Sequence, residues 1–152
     1  MVGMDQFSRR IIGFAVQIGH LDGVAICCMF NQIKTNQTLP CHLSSDNDPL
    51  FLYHRWQANL RILNIQEIKT IPHVPLSHPY VERLIRSIRQ ELLDQVLFWN
   101  TLDLQRKLNH YHHYFNNYRS HQSLQARTPN QVTQNNKPTA ISINKIRWQP
   151  FC

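Results

Sequence analysis

The sequence predicts an α/β domain, on three observations. Strand-like segments (1–7, 11–18, 41–45 and 65–71) alternate with segments of helical periodicity (24–33, 81–98 and 102–118). Helix-start signals stand at the joins: Asp22-Gly23, Asp48-Pro49 and Pro79. The chain has 152 residues and 42% apolar content, enough for one domain with its own core. It contains no internal repeat.

Taken in order, residues 1–7 read as a strand and Phe7-Ser8-Arg9-Arg10 as the turn after it. Residues 11–18 alternate poorly but carry strand-forming types, so they read as a second strand. Asp22-Gly23 introduces a helix over 24–33, and residues 36–40 are a polar loop. A short buried strand over 41–45 ends at Asp46. Asp48 as N-cap and Pro49 at the first position start a helix that runs through Phe51, Trp56 and Leu60. There Tyr53 and Trp56 read as core rather than as a base-stacking platform. Residues 65–71 are a further strand, and Pro72 and Pro75 bound the loop after it. Val81, Leu84, Ile85, Ile88, Leu92 and Val96 mark one face of a helix lasting to about residue 98. Leu104, Leu108, Tyr111, Phe115 and Tyr118 mark the next, over 102–118. Beyond Pro129 the chain is polar and reads as a loose tail with a short strand or hook near 141–148. The domain boundaries are 1–127 for the core and 128–152 for the tail.

The net charge is +7, and Arg outnumbers Lys by 11 to 5. A basic chain rich in planar guanidinium forks suits a polyanionic partner, because neutralised phosphates release counterions. The four cysteines (27, 28, 41 and 152) form no C-x-x-C pair. Buried, reduced thiols are the simplest reading. The apolar runs 11–16 and 24–30 are too short to span a bilayer, and the N-terminus lacks a signal-peptide layout. His110, His112 and His113 cluster on one helix, but no cysteine lies near them, so helix packing is preferred to a zinc site.

The chemistry-bearing pattern joins Asp46 to Glu82, with 35 residues between them. Glu82, Arg86 and Arg89 stand at i, i+4 and i+7, one helix face away from the buried stripe. The bland reading has Asp46 capping a turn, Glu82 favourable beside a helix dipole, and the arginines solvated. Three stretches then point elsewhere: Ser44-Ser45-Asp46-Asn47-Asp48-Pro49, Ser77-His78-Pro79-Tyr80-Val81-Glu82-Arg83, and Tyr114-Phe115-Asn116-Asn117-Tyr118-Arg119-Ser120-His121-Gln122-Ser123-Leu124 with Thr128-Pro129. Together with the opening Asp5-Gln6-Phe7-Ser8-Arg9-Arg10-Ile11-Ile12-Gly13, they resemble the integrase catalytic core of bacterial insertion-sequence transposases and retroviral integrases. The likeness runs in order over roughly residues 1–130. Asp48 departs from the Gly that often follows the Asp-Asn pair.

The resemblance implies an RNase H-like fold and phosphoryl transfer on DNA by two divalent ions, Mg²⁺ or Mn²⁺. It implies Asp46 and Glu82 as catalytic, metal-holding carboxylates. Arg86, Arg89, Arg119 and His121 would be DNA-binding, while Arg83 reads as ordinary surface. His121 has a second reading, docking the last helix on the core. In that fold the first strand is central and carries the first catalytic Asp. Here the chain opens with the strand pair that follows it, so the expectation is an N-terminally truncated core lacking that strand. Asp5 does not substitute: it falls on the following strand, and only 40 residues separate it from Asp46. A missing central strand predicts unpaired backbone groups, an open sheet edge and low stability. The expected function is a DDE-type transposase or integrase fragment, catalytically incomplete alone. Its partners would be DNA and a full-length transposase or a second copy, in a bacterial cytoplasm near the nucleoid. The alternative is a non-catalytic DNA-binding or transposase-interacting protein.

Overall fold

The computed structural model describes residues 1–35, 38–45, 48–69 and 79–135, and the backbone of 145–149. The polar loop at 36–37, the Asp46-Asn47 pair, the Pro72–Pro75 loop and the Asn136-Lys137-Pro138 stretch lie outside the described residues.

β1 (Val2–Asp5) and β2 (Ile11–Phe14) form an antiparallel hairpin. Its turn is tied by Asp5, whose carboxylate accepts from Phe7 N, Ser8 N and Ser8 Oγ. Asp5 is thus a turn residue. α1 (Gly23–Lys34) follows, its first turn capped by Asp22 Oδ1 accepting from Ala25 N at 2.7 Å. Glycine at position 23 answers to a close approach: a Cβ there would lie 2.1 Å from the Tyr53 ring.

β3 (His42–Ser45) leads to a 3-10 turn, Pro49–Leu52, where Asp48 Oδ1 accepts from Leu50 N. α2 (His54–Ile62) and β4 (Gln66–Lys69) come next. α3 (Pro79–Ile88) passes into one π-helical segment, Arg89–Leu93. α4 (Thr101–Asn117), a 3-10 turn at Gln122–Leu124, α5 (Pro129–Asn135) and β5 (Lys145–Gln149) complete the chain.

The helix expected to reach residue 98 stops earlier. Asp94 N donates to Arg89 O five residues back, and Asn100 Oδ1 accepts from Asp103 N to start α4 afresh. Lys107 Nζ holds the intervening loop through Leu97 O and the Asp103 carboxylate. Leu97 and Trp99 therefore face solvent rather than extending the apolar stripe.

The sheet order is β2-β1-β5-β3-β4. β5 runs antiparallel to β1 and parallel to β3, and β3 runs parallel to β4. This corrects the expectation of an open gap. The centre of the sheet is held by a strand from the C-terminal end, Asp5 and Leu43 both pairing with Ile146. The C-terminal residues are therefore part of the domain's sheet, and α5 packs on α4.

Two apolar layers flank the sheet. One gathers Met29, Phe30, Leu43, Phe51, Trp56 and Leu60 beneath α1 and α2. Its Trp56 is fully buried, edge-on to Phe30 with ring centroids 5.1 Å apart. The other gathers Val2, Met4, Ile11, Val81, Leu84, Ile88, Leu108 and Phe115 beneath α3 and α4. The buried-thiol expectation is only partly met. The stripe of α1 is Ile26, Met29, Phe30 and Ile33, which leaves Cys27 half-buried and turns Cys28 outward. Cys41, just ahead of β3, is also exposed, and Cys152 lies outside the described residues.

The β2 edge is covered from the side. Asn116, buried on α4, accepts from Ile11 N and donates to Ile11 O, each at 2.9 Å. His112 Nε2 lies 2.8 Å from the same carbonyl, which can only accept, so that nitrogen carries the proton. Side chains here do the work of a neighbouring strand.

Two outcomes test this architecture. Asn116→Ala strands Ile11 N, while Ile11 O keeps His112, and is expected to cost about 1–3 kcal/mol in chemical denaturation; a change within error would contradict the edge cover. Ile146→Pro removes a ladder N–H at the sheet centre and is expected to lower Tm sharply and promote aggregation. An unchanged melt would show that β5 does not hold the sheet.

Candidate functional site

β3 delivers the chain toward Asp46. Ser45, its last residue, is buried, and Ser45 Oγ donates to Glu67 Oε1 at 2.6 Å. The same Glu67 oxygen accepts from Trp56 Nε1 at 3.0 Å, while Oε2 accepts from Gln57 Nε2 at 2.5 Å. Glu67 therefore clamps the end of β3 to α2. Sequence reading passed over it. The one available signal was an acidic residue inside a strand whose neighbour, β3, is buried.

α3 supplies the second expected carboxylate. Val81, Leu84 and Ile88 are buried against the sheet, so the helix is fixed about its axis. α3 also lies against β5. Glu82 falls in the first turn, exposed, where the helix dipole favours a negative charge. Among the described residues its carboxylate has no hydrogen-bond or ion-pair partner. Arg86 is exposed one turn further on. The meeting of Asp46 with Glu82 falls outside the described residues.

Arg89 follows directly after α3. It begins the π-helical segment and borders an apolar cavity of about 300 Å³ with Met1, Phe14, Met29, Leu93 and Phe98. Glu82 and Arg86 thus stand exposed on the first and last turns of α3, and Arg89 is exposed at the start of the π-helical segment.

Arg119 and His121 lie just beyond α4 in a compact polar cluster. The Arg119 guanidinium grips Glu91 with Nε and Nη2, the shortest contact being 2.6 Å. Tyr111 Oη donates to the other side of that carboxylate at 2.9 Å. Burial alone would raise the Glu91 carboxyl, but the bonds from Arg119 and Tyr111 and the Arg119 charge hold it below its usual range. Glu91 comes from the π-helical segment, so the cluster ties that segment to the end of α4. Sequence reading missed Glu91 and Tyr111 because the link spans 28 residues without local periodicity.

His121 packs edge-on to Phe115, ring centroids 4.7 Å apart. Its Nε2 is buried with no partner among the described residues. Burial first, then the Arg119 charge, lowers its pKa to about 4. His112 is lowered as well, chiefly by burial. The His113 ring lies tilted against Tyr118, and among the described residues no three His, Cys, Asp or Glu side chains converge.

Comparison with known proteins is consistent with this geometry. Residues 63–129 match the model of the Integrase core domain family. The chain is similar to the catalytic core domain of BIV integrase, at 21% identity and a TM-score of 0.66, over 90% of this chain and 85% of that one. It is similar to the HTLV-2 integrase catalytic core domain in complex with magnesium, at 19% identity and a TM-score of 0.64, over 86% and 81%. A third likeness is to a chain of the simian T-cell lymphotropic virus intasome in complex with PP2A regulatory subunit B56 gamma. There the identity is 18% and the TM-score 0.73, over 99% of this chain and 51% of that one. No match was found among curated protein sequences. The fold is thus a mixed α/β, RNase H-like integrase core.

The histidines make a testable acid response. Their folded pKa values lie below the unfolded value of 6.5, so between pH 7 and 5 the unfolded chain binds more protons than the native one. Stability is full above that value and lost as pH falls. For His121 the loss is on the order of 1 kcal/mol after solvent screening. Denaturation at the two pH values should show it, and His121→Gln should reduce it. A stability that rises toward pH 5 would contradict the assignment.

Proposed function

We propose that this chain is a DDE-type transposase or integrase core fragment of bacterial insertion-sequence descent, which binds DNA and is catalytically incomplete on its own. The observation that supports this most is the placement of Glu82: an exposed carboxylate in the first turn of a helix laid beside the central strand of an integrase-core sheet. The basic balance of the chain supports a polyanionic partner. Arg86 and Arg89 would lie along the DNA backbone.

Asp46 and Glu82 would hold a divalent ion, Mg²⁺ or Mn²⁺, since hard cations take carboxylate oxygens. One neighbour of the fold is an integrase core in complex with magnesium. The carboxylate set here does not reach what a two-ion site needs. β5, Lys-Ile-Arg-Trp-Gln, brings no Asp or Glu to the sheet centre. No reaction step through a metal follows from these residues alone. The same observation favours a second reading, a non-catalytic protein that binds DNA or pairs with a full-length transposase or another copy of itself. In either case it would work in a bacterial cytoplasm, close to the nucleoid.

Duplex DNA binding measured against salt tests the first part. Affinity is expected to fall log-linearly with salt, and Arg86→Ala should reduce the slope by about one. Absent or salt-independent binding would contradict the DNA reading. Strand-joining assays with Mg²⁺ or Mn²⁺ test the second part and are expected to yield no product. Product that disappears in Glu82→Gln would contradict catalytic incompleteness.

A further inference from the structure

A second polar pocket lies on the α3–α4 side of the domain, away from the apolar cavity. Its volume is about 70 Å³, room for more than one water's share of liquid volume. Arg9, Arg83, Arg119, His121, Ser87 and Ser123 line it together with the Tyr80 and Phe115 rings. Three arginines from three parts of the chain thus border one pocket: the β1–β2 turn, α3, and the segment after α4.

The charges are unbalanced. Glu91 engages Arg119, but Arg9 and Arg83 have no carboxylate partner among the described residues. Two donor-capable atoms are buried without a hydrogen bond among the described residues, Arg9 Nε and His121 Nε2. Buried polar atoms are nearly always paired, so two unpaired nitrogens in a cationic pocket mark a place for an acceptor. Ser87 and Ser123 add hydroxyls that can donate to it.

Arg9 is held there at a backbone cost. Its φ is +62°, the left-handed region that glycine or asparagine adopts more easily. Its guanidinium lies over the Tyr80 ring, 3.2 Å from the centroid, and also donates to Gln6 O. A long cationic side chain at a position suited to glycine is what a ligand contact would keep.

We propose that this pocket is an oxyanion site that takes one phosphate group between Arg9, Arg83 and Arg119. An oxyanion offers several acceptor oxygens to planar forks approaching from different sides. The source of that phosphate, the DNA backbone, rests on the proposed function; the phosphate chemistry does not. Arg83, which the sequence assigns to ordinary surface, becomes a ligand-contacting residue. The low His121 pKa fits the pocket before an anion enters, because a bound anion would offset the Arg119 and Arg9 charges.

The test is NMR of the His121 imidazole in the full chain. It is titrated with inorganic phosphate, and separately with short duplex DNA, against chloride at equal ionic strength. Phosphate is expected to shift the His121 resonances and raise its pKa. Arg83→Ala, an exposed helix position, should weaken phosphate about tenfold or more, and Arg61→Ala, exposed on α2, should not. Arg9→Gly should lose phosphate while the fold is retained. Resonances that phosphate and DNA both leave unmoved would overturn the pocket, even if DNA binds elsewhere. A phosphate response without a DNA response would uphold the site and overturn the DNA backbone as its source.

Discussion

The pairing of β5 on both of its edges is the constraint on which the rest of this structure depends. β1 and β3 never pair with each other; each pairs with Lys145–Gln149 instead. Take that strand away and the hairpin half of the sheet separates from the parallel half. Main-chain groups at the centre of the domain would then be buried without partners. One apolar layer spans the join, gathering Met1 and Leu43 in the same core; the other packs the hairpin residues Val2 and Ile11 with Val81 of α3. The helices can settle only once the sheet beneath them is continuous.

From that sheet the chemistry follows by position. Burial of Val81, Leu84 and Ile88 turns Glu82 and Arg86 outward. The Glu67 clamp on Ser45 ties the end of β3 to α2. The Glu91–Arg119–Tyr111 cluster anchors the π-helical segment and, with it, the start of the loop to α4. Polar contacts in this molecule are thus concentrated at the ends of elements, where main-chain direction changes. The apolar layers supply most of the cohesion, at roughly 25 cal/mol per Å² removed from water.

Much of this was legible in the sequence, for local reasons. Asp22 carries the N-cap chemistry that starts α1, Asp48 caps the 3-10 turn ahead of α2 rather than one continuous helix, and Trp56 sits on a helical stripe that must be buried. The integrase-core likeness rested on motifs in chain order, and the fold agrees with it. What could not be read was set by partners far apart along the chain. Strand order is invisible to periodicity, so the strand expected near 141–148 gave no sign that it would sit at the sheet centre. The end of α3 was misplaced because Leu92 and Val96 continue the helical spacing while Asn100 and Lys107 enforce a stop. Arg9 and Arg83 look like solvated charges in sequence, and only the tertiary fold brings them beside Arg119.

Amide hydrogen exchange over Lys145–Gln149 tests the central claim most directly. A strand paired on both sides opens only with the domain, so these amides should be protected as strongly as those of β1 and β3. Exchange at the rate of an unstructured chain, with β1 and β3 still protected, would contradict it: the sheet would then be closed by something other than β5.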